Sequence, residues 1–320
     1  MKKVLLASTA LVGFAGAAAA EVSLSGYAEI GVQGGNNGYN TQFHHDIDVT
    51  FSLSGQSDNG LEFGATIDLD ELNGDDINPV SGGNGCSLAP TSGPSSHNPG
   101  CENDSSVWVS GSFGKVTLGD TDGAFDWALS EIYMGTSIAD DHSTHAGAYW
   151  FTGLDGYYDG QVMRYEYSFG DFAAAISAEM DDTGTGDAVL GLGVKWSGNM
   201  GGVDLGIGLG YQGANSTDVW GLSVAAAMAN GVAVNLGYAD LDGTEWWGIG
   251  LGYTTGALMV QANYGEWDGG ADGWGLVANY DLGGGAVAMF GYGDGNVAAG
   301  NTAGSAGSDA TWSLGLGLSF

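Results

Sequence analysis

The sequence predicts an all-β protein: a sixteen-stranded antiparallel β-barrel that crosses a membrane. Three observations carry that prediction. The last ten residues set Trp312, Leu314, Leu316, Leu318 and Phe320 at even positions and Thr311, Ser313, Gly315, Gly317 and Ser319 at odd ones. Strand side chains alternate between faces, so this segment has one apolar face and one wet face. The same alternation recurs back to residue 22, in about sixteen runs, the even number that single-chain bacterial barrels require. Beyond the leader, no run of apolar residues is long enough for a transmembrane helix. A backbone in lipid must then satisfy its hydrogen bonds between strands of a closed sheet.

The start of the chain reads as a secretory leader. Met1-Lys2-Lys3 is basic, Val4 to Phe14 is apolar, and Ala18-Ala19-Ala20 is a small-residue cleavage site before Glu21. The expected organisation is a cleaved signal peptide over 1–20 and one barrel domain over 21–320. A closed barrel cannot be cut into halves that are buried independently. A hydrophobic fraction of 43% with a mean hydropathy of +0.02 fits alternation better than a packed core.

Charge is the next constraint. The chain has 38 acidic residues and 5 basic ones. Removing the leader takes Lys2 and Lys3 and leaves Lys115, Arg164 and Lys195, for a net charge of −35. Such a surface excludes nucleic acid as a partner and attracts cations.

Strand by strand, the parity can be assigned. Val22, Leu24, Ala28, Ile30 and Val32 share one face; Ser23, Ser25, Tyr27, Glu29 and Gln33 share the other. Ile47, Val49, Phe51 and Leu53 alternate with Asp46, Asp48, Thr50 and Ser52, and Ser57-Asp58-Asn59-Gly60 is a turn. Leu61, Phe63, Ala65, Ile67 and Leu69 alternate with Glu62, Thr66, Asp68 and Asp70. Residues 71–104 lack periodicity and form a loop. Short strands follow near 105–112 and 116–120, and 121–160 is the longest gap. From Gln161 onward the rhythm is regular. Turns alternate between short ones (229–231, 283–285) and longer ones (213–218, 294–309), which assigns the short ones to the periplasmic side. Tyr211, Tyr238, Tyr253, Tyr264, Tyr280, Tyr292, Trp196, Trp220 and Trp274 lie near strand ends, as interfacial girdles do. Gly206, Gly208, Gly210, Gly248, Gly250 and Gly252 take the lumen-facing parity and fill no space, so a wide, wet lumen is expected.

Other features point to less chemistry. Cys86 and Cys101 fall in a Pro- and Gly-containing loop of an exported chain and are expected to form a disulfide; a metal pair would lack further ligands. The stretch from Asp140 to His145 offers two Asp and two His, yet no full ligand set, and reads best as a polar loop. Gly248 to Gly252 has no following helix and continues the strand rhythm, so it is no dinucleotide loop. Asp70-Glu71, Asp75-Asp76 and Asp181-Asp182 suit Ca²⁺ by ligand type, but no known loop spacing supports them. No catalytic cluster emerges, and no enzyme activity or required cofactor is expected.

Several segments together carry a family resemblance. They are Glu21 to Gly26, Ser57 to Gly64, Val109 to Asp120 leading into the long gap, and the terminal Phe320. On these the chain resembles the general diffusion porins of Gram-negative outer membranes, especially the alphaproteobacterial, Rhodobacter-type branch. The resemblance implies a homotrimer of sixteen-stranded barrels set among outer-membrane lipid and lipopolysaccharide. It also implies that the third loop, here 121–160, folds inward and narrows a water-filled pore for ions and small hydrophilic solutes. In that family acidic loop residues face a basic wall cluster. Here the corresponding wall carries Asp46, Asp48, Asp68 and Asp70, with His44 nearby. The expected constriction is therefore those four with Asp122, Asp126, Glu131, Asp140 and Asp141 from the loop. Arg164 is the expected lumen-facing cation at mid-height, with Lys115 and Lys195 close to periplasmic turns. Such an eyelet favours cationic or neutral solutes, and a Ca²⁺ near Asp140 and Asp141 would relieve its repulsion. The alternatives are a substrate-specific channel, for which Tyr27, Trp108 and Trp246 are too scattered, and a barrel adhesin, which needs little lumen.

Overall fold

A computed structural model describes residues 21–36, 40–70, 105–138, 153–158, 161–181, 185–296 and 310–320. The leader, Cys86, Cys101, Asp140 and Asp141 lie outside the described residues, as does the side chain of Asp70.

Sixteen strands run in chain order: β1 (Glu21–Gly35), β2 (Gln42–Gln56), β3 (Glu62–Asp70), β4 (Ser105–Gly111), β5 (Gly114–Asp120), β6 (Gln161–Phe169), β7 (Phe172–Glu179) and β8 (Val189–Met200). The rest are β9 (Val203–Ala214), β10 (Thr217–Met228), β11 (Val232–Leu241), β12 (Thr244–Thr255), β13 (Leu258–Trp267), β14 (Ala271–Gly283), β15 (Ala286–Asn296) and β16 (Thr311–Ser319). Each pairs antiparallel with its sequence neighbours, and β1 pairs with β16 to close the barrel. The closing register runs from Tyr27↔Ser319 to Gly35↔Thr311. Phe320 extends the seam, exchanging backbone hydrogen bonds with Gly26 in both directions. Closure leaves no strand edge unpaired, the condition for a sheet in lipid.

The expected parity holds. Leu190, Leu192, Leu209, Leu222, Leu251 and Leu314 are among the large apolar side chains exposed on the outside. Outer aromatics pair near the strand ends that meet the outer loops: Trp220 with Tyr238 (5.1 Å between rings), Trp247 with Tyr264 (5.4 Å) and Trp274 with Tyr292 (5.4 Å). At the opposite end Phe169 stacks on Phe172 at 5.9 Å. Two girdles thus flank an apolar belt.

One turn differs from expectation. Residues 213–218 are not a long loop: β9 ends at Ala214 and β10 begins at Thr217. Asn215 has a φ of 55°, which lets the hairpin close over two residues. Polar Asn-Ser-Thr at a tight turn mimics a loop in sequence.

Candidate pore constriction

The gap between β5 and β6 does not stay outside. It enters the barrel and opens with a one-turn helix, α1 (Ala124–Ala128), which contacts β7, β8 and β9. From there the loop is held by lumen-facing polar side chains on six strands between β7 and β14. The Ala124 N–H donates to Ser177 Oγ on β7 (2.8 Å) and the Ser130 N–H to Ser223 Oγ on β10 (2.8 Å). Asn235 on β11 donates to the Glu131 carbonyl (2.7 Å) and Asn279 on β14 to the Thr136 carbonyl (2.9 Å). Gln261 on β13 accepts from the Met134 N–H and donates to the Gly135 carbonyl (2.9 Å). Gln212 on β9 accepts from the Leu154 N–H (2.7 Å), which ties the returning limb to the same wall.

Apolar packing adds to this seam. Phe125 is fully buried with Leu154, Val189, Ala214 and Val219; Ile132 is buried with Ala239 and Trp246. Ile138 reaches the closing seam, where Gly31 on β1 and Gly315 on β16 leave room for it. The loop therefore covers the wall from β7 round to β1. The expectation that these glycines border open water is corrected for five of the six: Gly208, Gly210, Gly248, Gly250 and Gly252 lie against the loop, and Gly206 does not touch it. A glycine-lined wall reads the same whether water or a loop covers it.

The acids occupy two opposed walls. On β1 and β2, Glu29 and Asp46 are register partners and both are buried, at 6% and 7% exposure. Glu29 accepts from Tyr27 Oη (3.0 Å) and pairs with His44 Nε2 (3.0 Å). Asp48 lies on the same face of β2, and Asp68 of β3 accepts from Thr50 Oγ1 (3.1 Å). Seven strands round the ring, α1 sits on β8 and β9 and presents Asp126, with Asp122 just before it and Glu131 just after. Glu29 was not among the expected constriction residues; its signal was the parity it shares with Tyr27 and Gln33. The anchors Ser177, Gln212, Ser223, Asn235, Gln261 and Asn279 were also missed. Their signal was amide and hydroxyl side chains at lumen-facing positions of otherwise small-residue strands.

The three basic residues beyond the leader lie on β5 (Lys115), β6 (Arg164) and β8 (Lys195). Arg164 Nη1 donates to the Asp122 carbonyl, and the guanidinium pairs with Asp122 Oδ2 (3.9 Å) and Glu166 Oε2 (3.5 Å). Lys195 is paired with Ala173 beside the 170–171 turn, as expected, yet its side chain reaches the loop: Nζ donates to the Trp127 carbonyl (3.0 Å) and sits 3.7 Å above the Trp127 ring. Lys115 pairs with Glu166 at 3.8 Å. Two of the three cations therefore hold the root of the inserted loop.

Burial and mutual repulsion mark the loop carboxyls. Burial pushes Asp126 up to about 7, with Asp122 and Asp155 adding to the effect and Arg164 opposing it. Burial pushes Glu131 up to about 10, reinforced by Asp126 and Asp122. Burial also raises Asp155 to about 6, against hydrogen bonds from the Gly123 N–H (2.7 Å) and Gln212. Burial therefore favours the protonated form of Glu131, which the sequence leaves open. Among the described residues no group of three or more His, Cys, Asp or Glu is placed to hold a metal ion. Asp181 accepts from the Thr185 and Gly186 N–H groups of its own loop.

A closed sixteen-stranded antiparallel barrel with a loop folded against its inner wall defines a membrane channel of the porin class. The pattern described as Gram-negative porin matches residues 7–300. A porin of Rhodobacter capsulatus is 30% identical over 204 residues, 62% of this chain and 58% of that one, so the match spans under two thirds of the relative's length. A porin structure refined at 1.8 Å superposes with a TM-score of 0.66 at 25% identity, covering 94% of this chain and all of that one. A mutant of Rh. blastica porin gives 0.68 at 19% identity over 93% of this chain and all of that one, a likeness of fold. This chain belongs to the Gram-negative porin family.

The ionisation states are directly measurable. Infrared spectra at pH 8 should retain a protonated-carboxyl band that Glu131→Gln removes. A second band should titrate near pH 7 and vanish in Asp126→Asn. A fully ionised spectrum at pH 8 contradicts the assignment of Glu131.

Proposed function

We propose that the protein is a general diffusion porin of the outer membrane, passing ions and small hydrophilic solutes passively with a preference for cations. One observation supports the preference above others: the inserted loop and the wall half a turn away both carry carboxylates, while Arg164 and Lys195 are engaged at the loop's root. Within about 8–10 Å at physiological salt these charges act on a permeating ion, so opposed acidic walls reinforce each other across a narrow gap. In the family resemblance, the acidic loop faces a basic wall; here the facing wall is acidic, which removes the basic side of the transverse field.

Reversal potential in a salt gradient tests this reading. The expected result is cation preference that rises with pH from 5 to 8. Asp155 and Asp126 have raised values, so both are neutral below about 6 and 7 and add negative charge as the pH passes them. Asp46→Asn with Asp48→Asn should lower the cation-to-anion permeability ratio by roughly twofold or more. A non-selective or anion-selective wild type at low salt contradicts it.

The protein is further proposed to act as a homotrimer embedded in lipopolysaccharide-bearing membrane. β4 and β5 span seven residues each, shorter than the roughly 9–11 that cross a bilayer. That side of the wall, with exposed Val107 and Leu118, suits contact with a second copy better than contact with lipid. Electrophoresis should show an oligomer that collapses on heating. Val107→Arg should yield folded monomer, and a wild type that runs as monomer before heating refutes the assembly.

A further inference from the structure

We propose that lumen-facing glycines of β8, β9 and β12 are positioning residues that set the width of the pore, by leaving the space into which the main chain of the inserted loop is sunk. The inference rests on the channel reading above.

A methyl group on Gly193 would meet the Ala124 carbonyl oxygen; on Gly208, that of Ala128; on Gly250, that of Ile132. All three approaches are closer than 3.0 Å, a separation that real Cβ atoms do not show. The obstacles are main-chain atoms, so no change of rotamer relieves them. Local backbone geometry gives no other reason for glycine, since none of the three has a positive φ. Each lies inside a regular strand, where glycine weakens the sheet and marks close approach by another backbone.

The sheet register sharpens the assignment. Gly208 is paired with Ser223, which grips the Ser130 N–H. Gly250 is paired with Asn235, which grips the Glu131 carbonyl. Clearance on one strand thus sits beside a hydrogen bond from the next, and both act on the same stretch of loop. An added side chain displaces whichever partner is softer. β12 is paired along its length with β11 and with β13. The loop is held by side-chain hydrogen bonds and a few buried apolar side chains rather than by a continuous backbone ladder, and the lumen lies on its other side. It moves, and it moves inward.

Single-channel conductance of refolded, heat-modifiable protein tests this. Gly250→Ala and Gly208→Ala should each lower conductance by roughly a third or more, with a smaller size limit for neutral sugars. Gly206→Ala is the control: it shares the face, but its nearest neighbour would be Ala225 Cβ at 3.9 Å, and conductance should equal wild type. Asn235→Ala removes a grip without adding atoms and should give noisier current with no fall in the mean. Folded Gly250→Ala and Gly208→Ala channels that conduct as wild type overturn the proposal, as does an Asn235→Ala channel as restricted as theirs. Should Gly250→Ala fail to fold, Gly208→Ala and Asn235→Ala decide between the same two results. A wild type that does not conduct refutes the channel reading instead.

Discussion

Every amide and carbonyl of a sheet in lipid needs a partner within the sheet, and pairing of β1 with β16 is what supplies the last row of them. The rest of the structure follows from that closure. A closed sheet has an outside that must be apolar and an inside that is free of that demand. The outer face carries the exposed leucines and the two aromatic girdles. The inner face can then be specialised, and it is specialised twice: part as a seat for a loop, part as an acidic wall.

The seat explains why a protein so rich in glycine is ordered at its centre. Phe125 and Ile132 carry apolar contacts into the barrel, and wall amides and hydroxyls satisfy the loop's backbone groups. A loop buried in a protein otherwise leaves such groups unpaired, at a cost of about 1–3 kcal/mol each. The electrostatics follow from where the few cations go. Arg164 and Lys195 bind the first turn of the loop, so its entry point is neutralised, while Glu29, Asp46 and Asp48 lie apart from it on β1 and β2. Raised values at Asp126 and Glu131 are the local response: crowded acids shed charge before they shed structure.

Much of this was legible in the sequence. Period-two alternation gives the strands, their number and their faces, because lipid on one side and water on the other impose the pattern residue by residue. The lumen position of Asp46, Asp48, Asp68 and Arg164 follows from the same parity. The loop's path could not be read that way. Gly208 and Gly250 look identical to Gly206 until the covering main chain is known. The strand position of Lys195 near a periplasmic turn is legible, but the reach of its side chain to Trp127 is not. The two-residue turn at Asn215 was hidden by polar neighbours.

The most direct test of the central claim, an acidic pore bounded by the inserted loop, is chemical access to that loop. In a Cys86→Ser, Cys101→Ser background, Asp126→Cys places one thiol on α1. Cationic and anionic thiol reagents of equal size can then be compared during current recording. The account predicts that both reduce the current and that the cationic reagent reacts roughly tenfold faster or more at low salt. Modification that leaves the current unchanged, or that proceeds faster with the anionic reagent, contradicts it.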